Sequence, residues 1–156
     1  MSHPGFVARP MTDAEYAEMK AGFDTHTRQH NNPVEVPERY GFVVLYEDNF
    51  IGCSSGLAYK SADDGVHCNW FYLTDLFIHT SYRKQDLGKQ VLRLLEQRVA
   101  ALGTAYIWTW TAGYEAPGFY KKQGYEVIAE LPQYYRSGHS RIALQKALQP
   151  AVPPSP

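Results

Sequence analysis

The chain is short of the features that would send it into a special class. It has only two cysteines, Cys53 and Cys68, in 156 residues. They form neither a metal-ligand spacing nor a disulfide framework, so a reducing compartment is expected. No apolar run approaches the roughly 20 residues of a membrane span. The opening MSHPGFVARPMTDAEY lacks an apolar signal core, and a cytoplasmic protein is expected. Charge of one sign is also missing. Fifteen Lys and Arg against sixteen Asp and Glu leave a formal net charge of −1, which gives no electrostatic reason to expect a nucleic-acid partner. Internal repeats are absent. Aromatic residues, by contrast, are plentiful at 14%, twelve of them tyrosines, and part of that surface is expected to line a pocket or groove.

The length suits one domain, residues 1–148, with the tail QPAVPPSP at 149–156 disordered. Residues 11–23 read as a helix capped by Thr12 or Asp13. Residues 23–38 are polar and contain Pro33 and Pro37, so a loop or short second helix is expected there. YGFVVLY at 40–46 and the stretch 50–59 read as a hairpin across Glu47-Asp48-Asn49, its return strand weakened by Gly52, Ser54, Ser55 and Gly56. Residues 69–79 form a strand that is apolar on both faces near its end, which predicts a central position. In 87–102, Val91, Leu92, Leu95, Val99 and Leu102 share one helical face, and Gly103 follows. A strand at 105–111, a short helix at 117–123 ended by Gly124, and strands at 125–131 and 141–146 complete the order. The pattern predicts a mixed α/β sheet with a strand–helix–strand crossover at its centre.

The junction LFIHTSYRKQDLGKQ, from Leu76 to Gln90, carries the first chemical signal. The N–H groups that open a helix lack internal partners, and that helix end is partially positive. A glycine such as Gly88 lets a ligand approach the backbone closely, and Arg83, Lys84 and Lys89 add positive charge, so the turn suits an anion. A phosphate loop of the Gly-x4-Gly-Lys-Ser/Thr type is excluded: Arg83 holds the place of its first glycine and Gln90 that of its Ser/Thr. A dinucleotide fingerprint fails for the same shortage of glycine. On composition alone RKQDLGK also reads as a solvated turn with Asp86 as N-cap.

The junction resembles the coenzyme A loop of the GCN5-related N-acetyltransferase (GNAT) superfamily, Arg/Gln-x-x-Gly-x-Gly/Ala after a strand, mapped here onto Arg83, Asp86 and Gly88. Leu76-Phe77-Ile78 is similar to that family's Leu-aromatic-Val strand end. A second segment, TAGYEAPGFYKKQGYEV at 111–127, is similar to the family's Phe-Tyr-x-x-x-Gly-Phe/Tyr in Phe119, Tyr120, Gly124 and Tyr125. It begins about 25 residues after the turn, with one helix and one strand between. The resemblance covers roughly residues 40–146. It implies a GNAT fold, with a mixed central sheet flanked by helices and a V-shaped splay of two strands that holds an acyl-CoA. Asp86 departs from the pattern, standing where the first glycine is expected, and Lys84 stands where a second is frequent. A carboxylate there opposes a pyrophosphate unless it turns away or pairs with Lys84 or Lys89.

The resemblance further implies an acetyl-CoA-dependent transfer to a primary amine, with no metal. Backbone amides of Gln85, Asp86, Leu87, Gly88 and Lys89 would hold the pyrophosphate, with Arg83 and Lys84 beside them. The Leu76 amide would hold the thioester oxygen, Phe77 or Ile78 would pair with the pantetheine arm, and Tyr120 would protonate the departing thiolate. An amine must lose a proton before it attacks. Asp75 is the first candidate base, followed by Tyr72 and Glu115, and Asp75 reads equally as a carboxylate that only binds a cationic substrate. A bulge in this strand would reset which side chains face the cleft. Phe119 and Tyr125 read as core. The loop YYRSGHSR at 134–141 makes Tyr134, Tyr135 and His139 candidate acceptor contacts. Trp70, Trp108 and Trp110 read as core or dimer surface, which keeps a homodimer among the expectations, and the last two share a face of their strand. His26 and His30, four apart, lack a third ligand in view. Two rival readings are a GNAT-fold module that binds acyl-CoA without turnover and an interaction domain that binds none.

Overall fold

The computed structural model describes residues 3–150. They divide into two compact units, one up to Val34 and the other from Glu35 onward. Most of the proline-rich tail expected to be disordered, 151–156, lies outside the described residues.

The first unit contains α1, Asp13–Gln29. Thr12 caps it in a reciprocal arrangement: the Glu15 amide donates to the Thr12 hydroxyl at 3.2 Å, and the Glu15 carboxylate accepts from the Thr12 amide at 2.7 Å. Arg9 and the Thr12 amide together hold the Glu15 carboxyl down to about 2. The helix runs six residues past the expected end at residue 23. The polar stretch that suggested a break, Asp24 to Gln29, carries neither glycine nor proline to stop a helix once it has been nucleated.

The second unit is a six-stranded mixed sheet in the order β1-β2-β3-β4-β6-β5. Its strands are β1, Glu35–Tyr46; β2, Asn49–Ser61; β3, His67–Ile78; β4, Tyr106–Ala112; β5, Glu126–Leu131; and β6, Arg141–Ala147. β1 begins earlier than expected and includes Pro37. That is tolerated because β1 is an edge strand, where a missing N–H need not break a ladder. Glu47 and Asp48, both at positive φ, form a two-residue turn of the type that matches the twist of a hairpin. β3 and β4 are parallel and every other pair is antiparallel. The β3–β4 crossover carries α2, Leu87–Ala100, at the centre of the sheet as expected. A short helix, α3, Pro117–Lys122, connects β4 to β5.

Leu92, Leu95 and Val99 of α2 are buried against Ala58, Phe71, Leu73, Ile107 and Leu144 of the sheet, and Val91 is buried as well. Each such side chain contributes about 2 kcal/mol of transfer free energy. Tyr120 and Tyr125 belong to the same cluster. The small residues of β2 that weaken it as an isolated strand make this packing possible. The Ser54 hydroxyl donates to the Val91 carbonyl at 2.9 Å. A Cβ on Gly56 would lie 2.2 Å from the Tyr72 carbonyl oxygen, and one on Gly52 would lie 2.6 Å from that of Phe77.

Candidate functional site

The parallel pair β3–β4 is in register only at Trp70–Tyr106, Phe71–Ile107 and Tyr72–Trp108. Beyond that, β3 continues to Ile78 and β4 to Ala112 without pairing, so the two strands diverge. The Thr109 hydroxyl donates to the Leu73 carbonyl at 2.9 Å and ties the vertex of the V. Backbone groups of β3 after Leu73 that face β4 therefore have no ladder partner, which is how an interior strand presents donors and acceptors to a ligand.

β3 also bulges at this vertex. Gly56 of β2 pairs with Leu73, and the preceding Ser55 pairs with Asp75, leaving Thr74 as the extra residue. The bulge reverses the face parity of everything that follows. Phe71 and Leu73 point to the α2 face; past Thr74, Leu76 and Ile78 take that face, while Asp75 joins Tyr72 on the other. The sequence left Asp75 and Tyr72 undecided, and both stand on the face away from α2.

A cleft of about 600 Å³ opens from the V along the N-terminus of α2. Leu76, Phe77, Ile78, Arg83, Lys84, Asp86, Leu87, Gly88 and Tyr120, all candidates from the sequence, line it together with Glu115. The two separate motifs thus meet at one cavity. Gln85 and Lys89 flank the same turn without lining the cleft, and Asp75 and Tyr72 lie outside its lining. Tyr82, Thr111, Tyr114, Ala116 and Phe119 complete the wall. Apart from Tyr82, they fall in the second motif segment, where the pattern of a loop and a short helix could have drawn attention to them. Phe119, expected as core, packs against the core and also faces the cleft.

The turn keeps a glycine-like backbone without the glycines. Lys84 and Asp86 have φ of 64° and 59°, in the left-handed region, where a side chain other than Gly, Asn or Asp costs on the order of 1 kcal/mol. Asp86 occupies the N-cap position of α2 but makes no side-chain cap hydrogen bond, so the N-cap reading of this residue fails. It also makes no ion pair with Lys84 or Lys89. The first backbone hydrogen bond into α2 runs from the Gln90 amide to the Asp86 carbonyl at 3.0 Å. The amides of Gln85, Asp86, Leu87, Gly88 and Lys89 have no acceptor among the described residues, so the helix end offers a row of free donors. Arg83 donates from Nε to the Ile78 carbonyl at 3.1 Å, which anchors its stem to the end of β3 and leaves the rest of the guanidinium fork available.

Tyr120 is 6% exposed. Burial, joined by the charge of Glu115, pushes its phenol up to about 12, against a smaller lowering by the Thr109 hydroxyl. It is therefore a neutral donor at any physiological pH. Tyr125 is core, and burial raises its phenol as well. The Glu115 carboxylate accepts from the Ala112 amide at 3.3 Å and from the Thr111 hydroxyl at 3.4 Å. Asp75 is held differently: its Oδ2 lies 2.6 Å from the Thr74 hydroxyl and 3.5 Å from Arg39 Nη1, which also donates to Ser55.

The face away from α2 is aromatic. Tyr72 stacks on Trp108 at 4.3 Å, and Trp108 meets Trp110 edge-on at 6.1 Å. The 134–141 loop reaches the cleft through Tyr114, whose ring contacts Tyr135 at 5.4 Å and His139 at 5.3 Å. Among the described residues no three His, Cys, Asp or Glu side chains gather as a metal site. No helix there is long and apolar enough to cross a membrane.

Known proteins place this geometry. The family model described as Acetyltransferase (GNAT) domain matches residues 37–127. None of the curated proteins compared matches the chain. Among solved structures, an acetyltransferase from Bacillus cereus superposes with a TM-score of 0.75 at 21% identity, covering 92% of this chain and 98% of its own. An aminoglycoside 6'-N-acetyltransferase complexed with coenzyme A gives 0.60 at 18% identity, with 91% and 84% covered. The ribosomal-protein-S18-alanine N-acetyltransferase from Escherichia coli gives 0.60 at 16%, with 96% and 84% covered. At these identities the likeness speaks for the fold.

Proposed function

Because the chain belongs to the GNAT acetyltransferase family, we propose that it transfers an acetyl group from acetyl-CoA to a primary amine, by direct attack within a ternary complex, in the cytoplasm. The observation that carries this reading is the meeting of both motifs at one cleft, with five unpaired amides at its α2 end and the diverging edge of β3 along its wall.

In this reading the amides from Gln85 to Lys89 bind the pyrophosphate, aided by the Arg83 and Lys84 charges. The free edge of β3 at Phe77 and Ile78 pairs with the pantetheine amides. The Leu76 N–H stabilises negative charge building on the thioester oxygen during attack. Tyr120 donates to the departing sulfur. With the phenol at about 12 and a thiol near 8.5, complete proton transfer would be uphill by roughly 5 kcal/mol, so the side chain assists by hydrogen bonding and the thiolate leaves largely as an anion. On the amine side, Asp75 beside Leu76 takes or relays the proton, and Glu115 supplies negative charge at the cleft itself.

Asp86, unpaired in the cleft wall, favours one rival: a fold that retains acyl-CoA without turning it over. Calorimetry with CoA combined with thiol release from acetyl-CoA over a panel of amines separates the two. Binding with amine-dependent release supports the transferase. Binding without release on any amine supports the module, and no binding removes both.

A further inference from the structure

Arg141 opens β6 opposite Ala112, the last residue of β4, so it sits one strand from the point where the chain turns into the cleft wall at Tyr114. It is half-buried on the aromatic face. Its guanidinium carbon lies 5.1 Å from the ring centre of Trp110 and 5.1 Å from that of Tyr134, and Nη1 donates to the Tyr134 hydroxyl at 2.9 Å. No carboxylate among the described residues lies within ion-pair distance. Arg39 of β1 differs, being satisfied by Asp75, Thr74 and Ser55.

A guanidinium is planar and always charged, and it matches a carboxylate edge to edge. Two rings and one phenol fix this one in orientation and supply no counter-charge. Rings stabilise a cation by about 1 kcal/mol each, and one hydrogen bond leaves most of the donor fork unused. Such a group is ready for an anion. The turn that would take the pyrophosphate lies on another element, at the N-terminus of α2, whereas Arg141, Trp110 and Tyr134 lie outside the cleft lining and reach it through the ring contacts Tyr134–Tyr135 and Tyr135–Tyr114. The anion at Arg141 must therefore come from the other reactant.

We propose that the acceptor amine also bears a carboxylate, which Arg141 binds while Trp110 and Tyr134 hold the guanidinium flat. This rests on the acetyl-transfer reading above and narrows its acceptor to amino acids, amino-terminal peptides or ω-amino carboxylates. It disfavours purely cationic acceptors such as polyamines and aminoglycosides.

The test uses matched pairs on the full chain: phenylalanine against phenethylamine, lysine against cadaverine, and glycyl-phenylalanine against its C-terminal amide. Thiol release from acetyl-CoA is followed, with CoA affinity measured in parallel. In at least one pair the carboxylate-bearing member should have a KM lower by on the order of ten- to a hundredfold, the range of a charged hydrogen bond. Arg141→Gln should erase that difference while leaving the KM of the carboxyl-free amine and the CoA affinity unchanged. Tyr134→Phe, a milder variant, should reduce it in part. Equal KM values within every pair, or an Arg141→Gln loss shared by both members, would overturn the assignment. If the protein fails to bind CoA at all, the transferase reading fails and this inference falls with it.

Discussion

Asp86→Asn gives opposite signs in two measurements, and that makes it a sharp test of the turn. Asp86 is exposed, has a left-handed backbone and makes neither a cap bond nor an ion pair. Asparagine tolerates that backbone, so the substitution changes charge and little else. If the pyrophosphate sits on the amides from Gln85 to Lys89, a carboxylate at about 6 Å repels each unit of negative charge by about 0.7 kcal/mol in a water-like medium and about 3 kcal/mol at an effective dielectric near 20. Exposure favours the lower figure, and a pyrophosphate carries more than one charge. A gain of about 1–1.5 kcal/mol follows, roughly tenfold in CoA affinity. The free protein should respond the other way. An anion at a helix N-terminus stabilises it by a few tenths to about 1 kcal/mol, so the variant without ligand should melt slightly lower. Calorimetry with CoA at low and high ionic strength reads the first effect and thermal melting the second. The affinity gain should shrink as salt screens the repulsion. Unchanged or weaker CoA binding, or a gain indifferent to salt, would show that the pyrophosphate does not sit beside Asp86.

Three further outcomes are expected. Tyr120→Phe should lower kcat by on the order of a hundredfold and leave acetyl-CoA affinity nearly unchanged; an unchanged kcat in single-turnover kinetics would remove the phenol from the reaction. Alkali should unfold the protein for a specific reason: the Tyr120 phenol stays protonated to about 12 in the fold, whereas it ionises near 10 in the open chain. Stability is therefore intact below pH 10 and falls between 10 and 12 by about 3 kcal/mol from this residue; urea titrations at pH 9 and 11 measure it, and equal midpoints would contradict it. Gly56→Ala drives a Cβ to 2.2 Å from the Tyr72 carbonyl oxygen and 2.4 Å from the Phe71 ring. It should cost about 2–3 kcal/mol, or roughly 5–10 °C in Tm, and a melting curve matching the parent would mean that β2 and β3 are farther apart than described.

The sequence disclosed features set by local rules and hid those set by neighbours. Helical periodicity in Val91, Leu92, Leu95 and Val99 places α2 and its buried face. The apolar end of β3 marks a central strand, and the two motif segments fall at one cleft. By contrast, the end of α1 at Gln29 is hidden, because the polar run from Asp24 resembles a break but holds no residue that stops a helix. The purpose of Gly52 and Gly56 is invisible without the strand beside them, since their missing Cβ atoms make room for Phe77, Phe71 and Tyr72 on β3. Thr74 hides the largest consequence. Nothing in the run Tyr72-Leu73-Thr74-Asp75-Leu76 announces a bulge, yet the extra residue moves Asp75 to the face of Tyr72 and returns Leu76 to the side of α2. Thr109 and Arg141 were likewise silent, because their roles depend on Leu73, Trp110 and Tyr134 being brought close by the fold.

The strained turn joins these observations. Lys84 and Asp86 both adopt a left-handed backbone; aspartate tolerates it, and Lys84 holds it at a cost of about 1 kcal/mol. No ion pair of Lys84 offsets that cost among the described residues, and the Asp86 charge at the helix N-terminus offsets a few tenths to about 1 kcal/mol of it. What the turn conformation does provide is five amides, from Gln85 to Lys89, with no acceptor among the described residues. Strain of this kind persists where a ligand needs the geometry. In the proposed reading the two charges act on the same bound anion with opposite sign, Lys84 attracting and Asp86 opposing it, so the turn would both hold the diphosphate and limit how tightly it is held.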